Sequence, residues 1–120
     1  MSYHQDWLMR QIEAMTTMLG YLLSGKTKTV RVEEQEQTNA LENELYLQLQ
    51  TLVMQGNLCE AENLLFEAMD EPSAQVLDAA TRFYADLNHL SNSVLAECNF
   101  SRDEILEGLQ EVCRVFGIPL

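Results

Sequence analysis

Histidine, cysteine and carboxylate side chains are the groups in this sequence that could do chemistry, and their spacing decides whether they do. The two histidines, His4 and His89, lie far apart. Neither has a second His, Cys or carboxylate standing out at metal-ligand spacing. His4 is close to a chain end. His89 falls late in a predicted helix, where a cationic or hydrogen-bonding ring suits the free carbonyls. The three cysteines, Cys59, Cys98 and Cys113, are odd in number and widely spaced, with no CxxC. That argues against a disulfide framework or a zinc knuckle. They are expected to be reduced and structurally passive, with Cys98 the most exposed because it lies at a predicted break between helices. Carboxylate pairs occur at Glu42/Glu44, Glu60/Glu62, Asp70/Glu71 and Asp103/Glu104, but among 19 acidic residues such pairs arise by chance. General acid–base work needs a positioned pair, and none of these has a pocket-forming context. There is no ExxH of a di-iron bundle, no GxxxxGK phosphate loop, no GxSxG elbow and no GxGxxG turn. No Ser or Cys has a neighbouring His to activate it. The expectation is a protein that is not an enzyme, with no catalytic residue, metal ligand or cofactor.

Composition sets the frame for those groups. At 120 residues with 47% apolar content, the chain fits one folded domain. Leu, Glu, Ala, Met and Gln dominate, and these lose little rotamer freedom in a helix. The formal net charge is −12, unevenly spread. Before Glu33 there are four basic and two acidic residues; from Glu33 onward there are three basic and seventeen acidic. Such a body repels phosphates, so nucleic acid is not an expected partner. A solvated surface kept soluble by repulsion accounts for most of the charge. The other reading is a basic partner, or charge mimicry of nucleic acid. The opening MSYHQDWLMR is not a signal peptide, and no run approaches ~18 apolar residues. A cytoplasmic protein that does not bind membranes is expected.

The periodicity is helical throughout. Leu8, Ile12, Met15, Leu19 and Leu22 recur at heptad spacing over a helix expected at 3–23, with Trp7, Met18 and Leu23 widening the stripe and Gly25 stopping it. Residues 26–37 read as a polar connector. A second helix over 40–55 is apolar on several faces, at Leu41, Leu45, Leu49 and Leu52 and again at Tyr46, Leu47, Val53 and Met54, which predicts a central position. Gly56 ends it, and Asn57 is expected to cap a third helix. Pro72 closes that element. Ser73 caps a fourth helix to about Leu90, burying Val76, Ala80, Phe83 and Leu87. A short turn near Val94–Cys98 precedes the box SRDE at 101–104, which opens a last helix to Phe116. Gly117, Ile118 and Pro119 form its stop signal.

Two resemblances attach to these segments. Gly56, Ala61, Leu65, Ala68 and Pro72 in QGNLCEAENLLFEAMDEP stand nearly where a tetratricopeptide repeat places its turn glycine, small helix-B residues and closing proline. The first half of that motif fits poorly, with Leu49 where a small residue belongs, and no second copy exists. The segment therefore resembles one such hairpin within a bundle. Over nearly its full length, with MRQIE at 9–13, FSRDEILEGL at 100–109 and FGI at 116–118, the chain is similar to a family of small bacterial helical proteins. That resemblance implies a bacterial, cytoplasmic origin and no known activity.

The fold expected is an all-α bundle of about five helices. It comprises an N-terminal amphipathic helix (1–24) able to detach, a polar linker (25–37) and a bundle body (38–120) containing the tetratricopeptide-like hairpin. The function expected is a non-enzymatic protein-interaction or assembly module. Its interaction residues are Trp7, Leu8, Ile12, Met15, Leu19 and Leu22, through which the chain meets a protein partner or forms a homo-oligomer. The alternative is an acidic regulator that occupies a nucleic-acid-binding protein by charge mimicry.

Overall fold

Serine hydroxyls begin three of the described helices. In the computed structural model, which describes residues 2–28 and 43–119, the elements are α1 (Ser2–Lys28), α2 (Glu44–Met54), α3 (Leu58–Ala68), α4 (Ala74–Asn88), α5 (Asn92–Glu97) and α6 (Arg102–Val115). Ser73 accepts from the Val76 amide at 3.2 Å and Ser91 from the Val94 amide at 3.2 Å. Ser101 accepts from the Glu104 amide at 3.2 Å while the Glu104 carboxylate accepts from the Ser101 amide at 3.0 Å, completing the expected capping box. Asn57 does not cap α3. Its side-chain Nδ2 donates to Gln55 Oε1 at 3.4 Å instead.

The helix ends are equally specific. Gly56 (φ +82°) and Gly117 (φ +68°) take the left-handed conformation. After each glycine the next backbone amide reaches back five residues: Asn57 N donates to Leu52 O at 2.9 Å and Ile118 N to Cys113 O at 2.8 Å. Asn99 (φ +58°) ends α5 in the same way. Gly25 does not stop α1, which runs on to Lys28. A glycine inside a helix costs about 1 kcal/mol relative to alanine without forbidding it, so it ends a helix only where the following residue also turns back.

α4 is the central element. It packs against α1, α2, α3 and α6, and Leu77, Ala79, Ala80, Thr81, Phe83, Tyr84, Leu87 and Asn88 are all buried. The small Ala79 and Ala80 let neighbours approach closely on one side, and Phe83 and Tyr84 fill the space on others. α2 was expected at the centre and is not there. It lies on α3 and α4 with Leu49 buried, whereas Leu47 is 50% and Met54 82% exposed. Of its extra apolar residues Tyr46 and Val53 are half-buried against the core while Leu47 and Met54 face outward, so its breadth of apolar surface is not a measure of depth. α2 and α3 form a helical hairpin closed by Leu49, Leu58, Ala61 and Leu65. The described part is all-helical, with no strand among the described residues. The connector expected at 25–37 falls, from residue 29 on, outside the described residues, as do Ala40 and Leu41 of the second helix.

The N-terminal helix is not detached. α1 packs on α4 and α6, and Leu8, Ile12 and Leu19 are fully buried. Ile12 and Leu19 belong to the same apolar core as Leu49, Phe83 and Ile105. The physical reason is that a stripe of large aliphatic side chains gains about 1.5–3 kcal/mol per residue from the nearest apolar surface, and here that surface is on the same chain.

Candidate interaction surface

The stripe read as an intermolecular seam is divided by the structure. Leu8, Ile12 and Leu19 point into the bundle, and Met15 is half-buried against the core. Trp7 (53% exposed) and Leu22 (45% exposed) stay outside. Tyr21, which the heptad reading passed over, is 74% exposed. Residues 7, 14 and 21 repeat at seven and therefore lie on one line along the helix, about a quarter-turn or more away from Leu8, Ile12 and Leu19. Around Ala14 this outer face forms a shallow hollow of ≈630 Å³, lined by Arg10, Glu13, Ala14, Thr17, Met18, Tyr21 and Leu22. The Trp7 ring is stacked on His4, with centroids 6.4 Å apart and planes at 15°. His4 Nε2 in turn lies 3.5 Å from Asp103 Oδ1 at the start of α6. The signal for this face is present in the sequence as Trp7–Ala14–Tyr21, but the stronger aliphatic repeat beside it, expected to meet another chain, is the one the core covers.

A second concavity lies between α3 and α6. It has a volume of ≈620 Å³ and is lined by Glu62, Asp70, Glu104, Glu107 and Glu111, with Phe66, Met69 and Val115 as apolar wall and Arg114 at one end. Arg114 is engaged by Glu111: Arg114 Nε donates to Glu111 Oε1 at 3.0 Å and a second guanidinium nitrogen donates to Oε2. This pairing holds the Glu111 carboxyl below its usual range. At the floor, the buried Tyr84 hydroxyl donates to Glu62 Oε2 at 2.7 Å. Burial pushes the Glu62 carboxyl up, partly offset by that hydrogen bond, with Glu104 and Glu107 adding repulsion. Burial and the Glu62 charge push the Tyr84 phenol up as well. Gly108 makes room for the pair: a Cβ there would lie 2.2 Å from Tyr84 Oη and 2.8 Å from Glu62 Oε2. Glu60/Glu62 looked like a chance pair on a helix surface. Glu62 is instead half-buried, and only a tertiary contact 22 residues away shows why.

Other groups that could do chemistry are accounted for structurally. All three cysteines are free, with Cys59 exposed, Cys98 half-buried and Cys113 buried. Cys98 is thus not the most exposed thiol. Its sulfur lies beside Gly56, where a Cβ would be 3.8 Å away. Burial pushes the Cys113 thiol up. His89 is exposed and does not serve the end of α4. Arg102 does so, donating to Asn88 O at 3.0 Å and Leu90 O at 2.6 Å. On α2 and α4, Tyr46 Oη donates to Asp86 Oδ2 at 2.6 Å beneath the Arg82 guanidinium, 5.1 Å from the ring centre. Burial and Asp86 push the Tyr46 phenol up to about 12. Among the described residues, no group of three or more His, Cys, Asp or Glu is placed to hold a metal ion. No described helix is long and apolar enough to cross a membrane.

Neither curated proteins nor solved structures provide a match to this chain. A family model does match, and it spans residues 2–117, taking in the six described helices and both concave surfaces. The chain belongs to that family, DUF6483, a family of unknown function.

Proposed function

We propose that the protein is a non-enzymatic protein-interaction or assembly module that engages its partner through the outer face of α1. The observation that carries this reading is the exposure of Trp7, Tyr21 and Leu22 on a helix whose other side is fully used by the core. Large aromatic side chains left in water on a rigid helix are costly to keep, and they are the side chains that dominate binding energy when a partner covers them. The α2–α3 hairpin, with Gly56 at its turn and Ala61 buried, acts on this reading as a tetratricopeptide-like scaffold packed on α4, the helix that also carries α1. The free cysteines and the MRQIE and FSRDEILEGL segments support a bacterial, cytoplasmic setting. Affinity capture from native lysate tests the reading, comparing the unaltered chain with Trp7→Ala plus Tyr21→Ala. Capture that survives high salt and is lost in the double variant is the expected result. Capture indifferent to the substitutions would remove α1 from the reading.

A second reading draws on the α3–α6 groove, whose carboxylates at Glu62, Asp70, Glu104, Glu107 and Glu111 offer a negative surface to a basic partner. On that reading the protein regulates a nucleic-acid-binding protein by charge mimicry. Partner binding would then fall steeply between low and physiological salt, the opposite of what the α1 face would give.

A further inference from the structure

Apolar and acidic side chains line the α3–α6 groove together, and both are left without a complement. Phe66, Met69 and Val115 supply its apolar wall, and the Phe66 ring is exposed. Glu62 stands near enough to Glu104 and Glu107 for both to repel its charge, on top of the cost of its burial. Among the described residues lining the groove, the one basic side chain is Arg114, and Glu111 already engages it. Nothing comparable answers Glu62, Glu104 and Glu107. Tyr84 donates to Glu62 Oε2, while Glu62 Oε1 has no hydrogen-bond donor among the described residues. A cation entering the groove would relieve this repulsion, and an apolar group beside it would cover Phe66.

Resting on the second of the two functional readings, we propose that this groove receives a basic segment of a partner protein, with an apolar side chain packed on Phe66, Met69 and Val115 and neighbouring Arg or Lys side chains set against Glu62, Glu104 and Glu107. The carboxylates select the form of the cation. Among the described residues no three His, Cys, Asp or Glu converge on one point, so the positive charge that fits is spread along the groove rather than held in a single ion. Glu62 and Phe66 are four residues apart on α3, a rise of about 6 Å. Cationic and apolar side chains one helical turn apart, or two residues apart on an extended chain, match that separation. A polyamine brings the charges without a side chain for the apolar wall, and a nucleic acid brings phosphates that the carboxylates repel. The volume of ≈620 Å³ lies within the about 300–1,000 Å³ of sites that enclose small ligands. It admits a few side chains of a partner, not a whole element.

The probe is a fluorescently labelled peptide of about eleven residues, three helical turns if it folds, with one leucine flanked by arginines. Anisotropy titrations with the full chain at about 20 mM salt, where screening is weak, should give saturable binding. Replacing the peptide's leucine by serine should weaken binding at least about tenfold, because the apolar wall is then left uncovered. Glu107→Lys should weaken it at least about tenfold as well, with unchanged circular dichroism, since Glu107 is exposed. Glu97→Lys makes the same change in net charge at an exposed position on α5 that does not line the groove, and should weaken binding less than about threefold. Binding that ignores the leucine, or that falls equally in both lysine variants, overturns the groove as the docking site and leaves only a general attraction of the acidic body for basic partners. Absence of binding even at low salt overturns the proposal and the basic-partner reading together.

Discussion

At the scale of single residues, the contact that most constrains the chain is the one beneath Gly108. The glycine sits in mid-helix with ordinary helical geometry, so the sequence reads it as a mild weakness of α6. Its purpose lies in the missing Cβ, which would collide with Tyr84 Oη. Gly108→Ala should therefore destabilise the fold by about 1–3 kcal/mol, the range for overpacking a filled site, despite alanine's better helix propensity. Chemical denaturation of the two proteins measures it, and a more stable alanine variant would show that Tyr84 moves aside freely. The partner of Tyr84 makes stability depend on pH. The Glu62 carboxyl is raised above its ordinary value, chiefly by burial, so the folded state holds that proton more tightly than the unfolded chain. The stabilisation is complete below the ordinary carboxyl pKa of about 4.3 and is lost as pH rises through the elevated folded value. Glu62→Gln keeps an acceptor for Tyr84 and removes the charge. Its melting temperature should match the parent near pH 4 and exceed it at neutral pH. A difference constant across that range would mean that the Glu62 charge is not what matters. None of this was legible in the sequence, because Glu62, Tyr84 and Gly108 are scattered along the chain and each, alone, looks like a helix residue of no special role.

At the scale of elements, what was legible and what was not follow from the range of the forces involved. Caps and stops depend on a few neighbouring residues, so Ser73, Ser101 with Glu104, and Gly117 with Ile118 could be read directly, and each is formed. Depth depends on what the other helices do. Leu47 and Met54 on α2 look as apolar as Leu49, yet Leu49 alone among them meets the core. The same holds for α1. Its heptad could be recognised, but a heptad says only that a stripe will be covered, and the covering surface is α4 and α6 rather than another chain. The consequence for mutation is definite. Leu49→Ala and Leu65→Ala remove side chains with no exposed surface and should each cost about 2–5 kcal/mol. Leu47→Ala, half in water, should cost less than about 1 kcal/mol. Urea titrations of the three variants would rank them. Equal midpoints would mean that the α2–α3 hairpin is not packed as described.

At the scale of the whole molecule, one arginine acting with Asn88 joins four of the six described helices. Arg102 opens α6 and is buried. Its guanidinium donates to Asn88 O and Asn88 Oδ1, each at 3.0 Å. It also donates to Leu90 O at 2.6 Å and to Asn92 Oδ1 at 3.2 Å. The amide of Asn88 passes the connection on, donating to Met9 O of α1 at 3.2 Å. The carbonyls that end α4, the first turn of α5 and the start of α6 are thereby held by one planar group, and α1 is tied to them through the Asn88 side chain. Burial lowers the Arg102 pKa, but an arginine so bonded stays charged at any physiological pH, and the negative end of the α4 dipole supports that charge. A lysine cannot replace it. An ammonium is a single point with three donors, whereas the site asks for a flat fork reaching acceptors on two different segments. Arg102→Lys should destabilise the fold by about 2–4 kcal/mol and Arg102→Met by about 3–5 kcal/mol, because each leaves buried acceptors without donors. Hydrogen exchange distinguishes a tie across the molecule from a local cap. If Arg102 only finished α4, protection would fall at Asn88–Asn92 and nowhere else. Because α1 depends on the same junction, protection should fall together in α1, α4 and α6, and Trp7 emission should follow the same unfolding midpoint as the helical circular dichroism. Loss confined to the α4–α5 corner, with α1 still protected to the parent's level, would show that α1 is held by its apolar face alone.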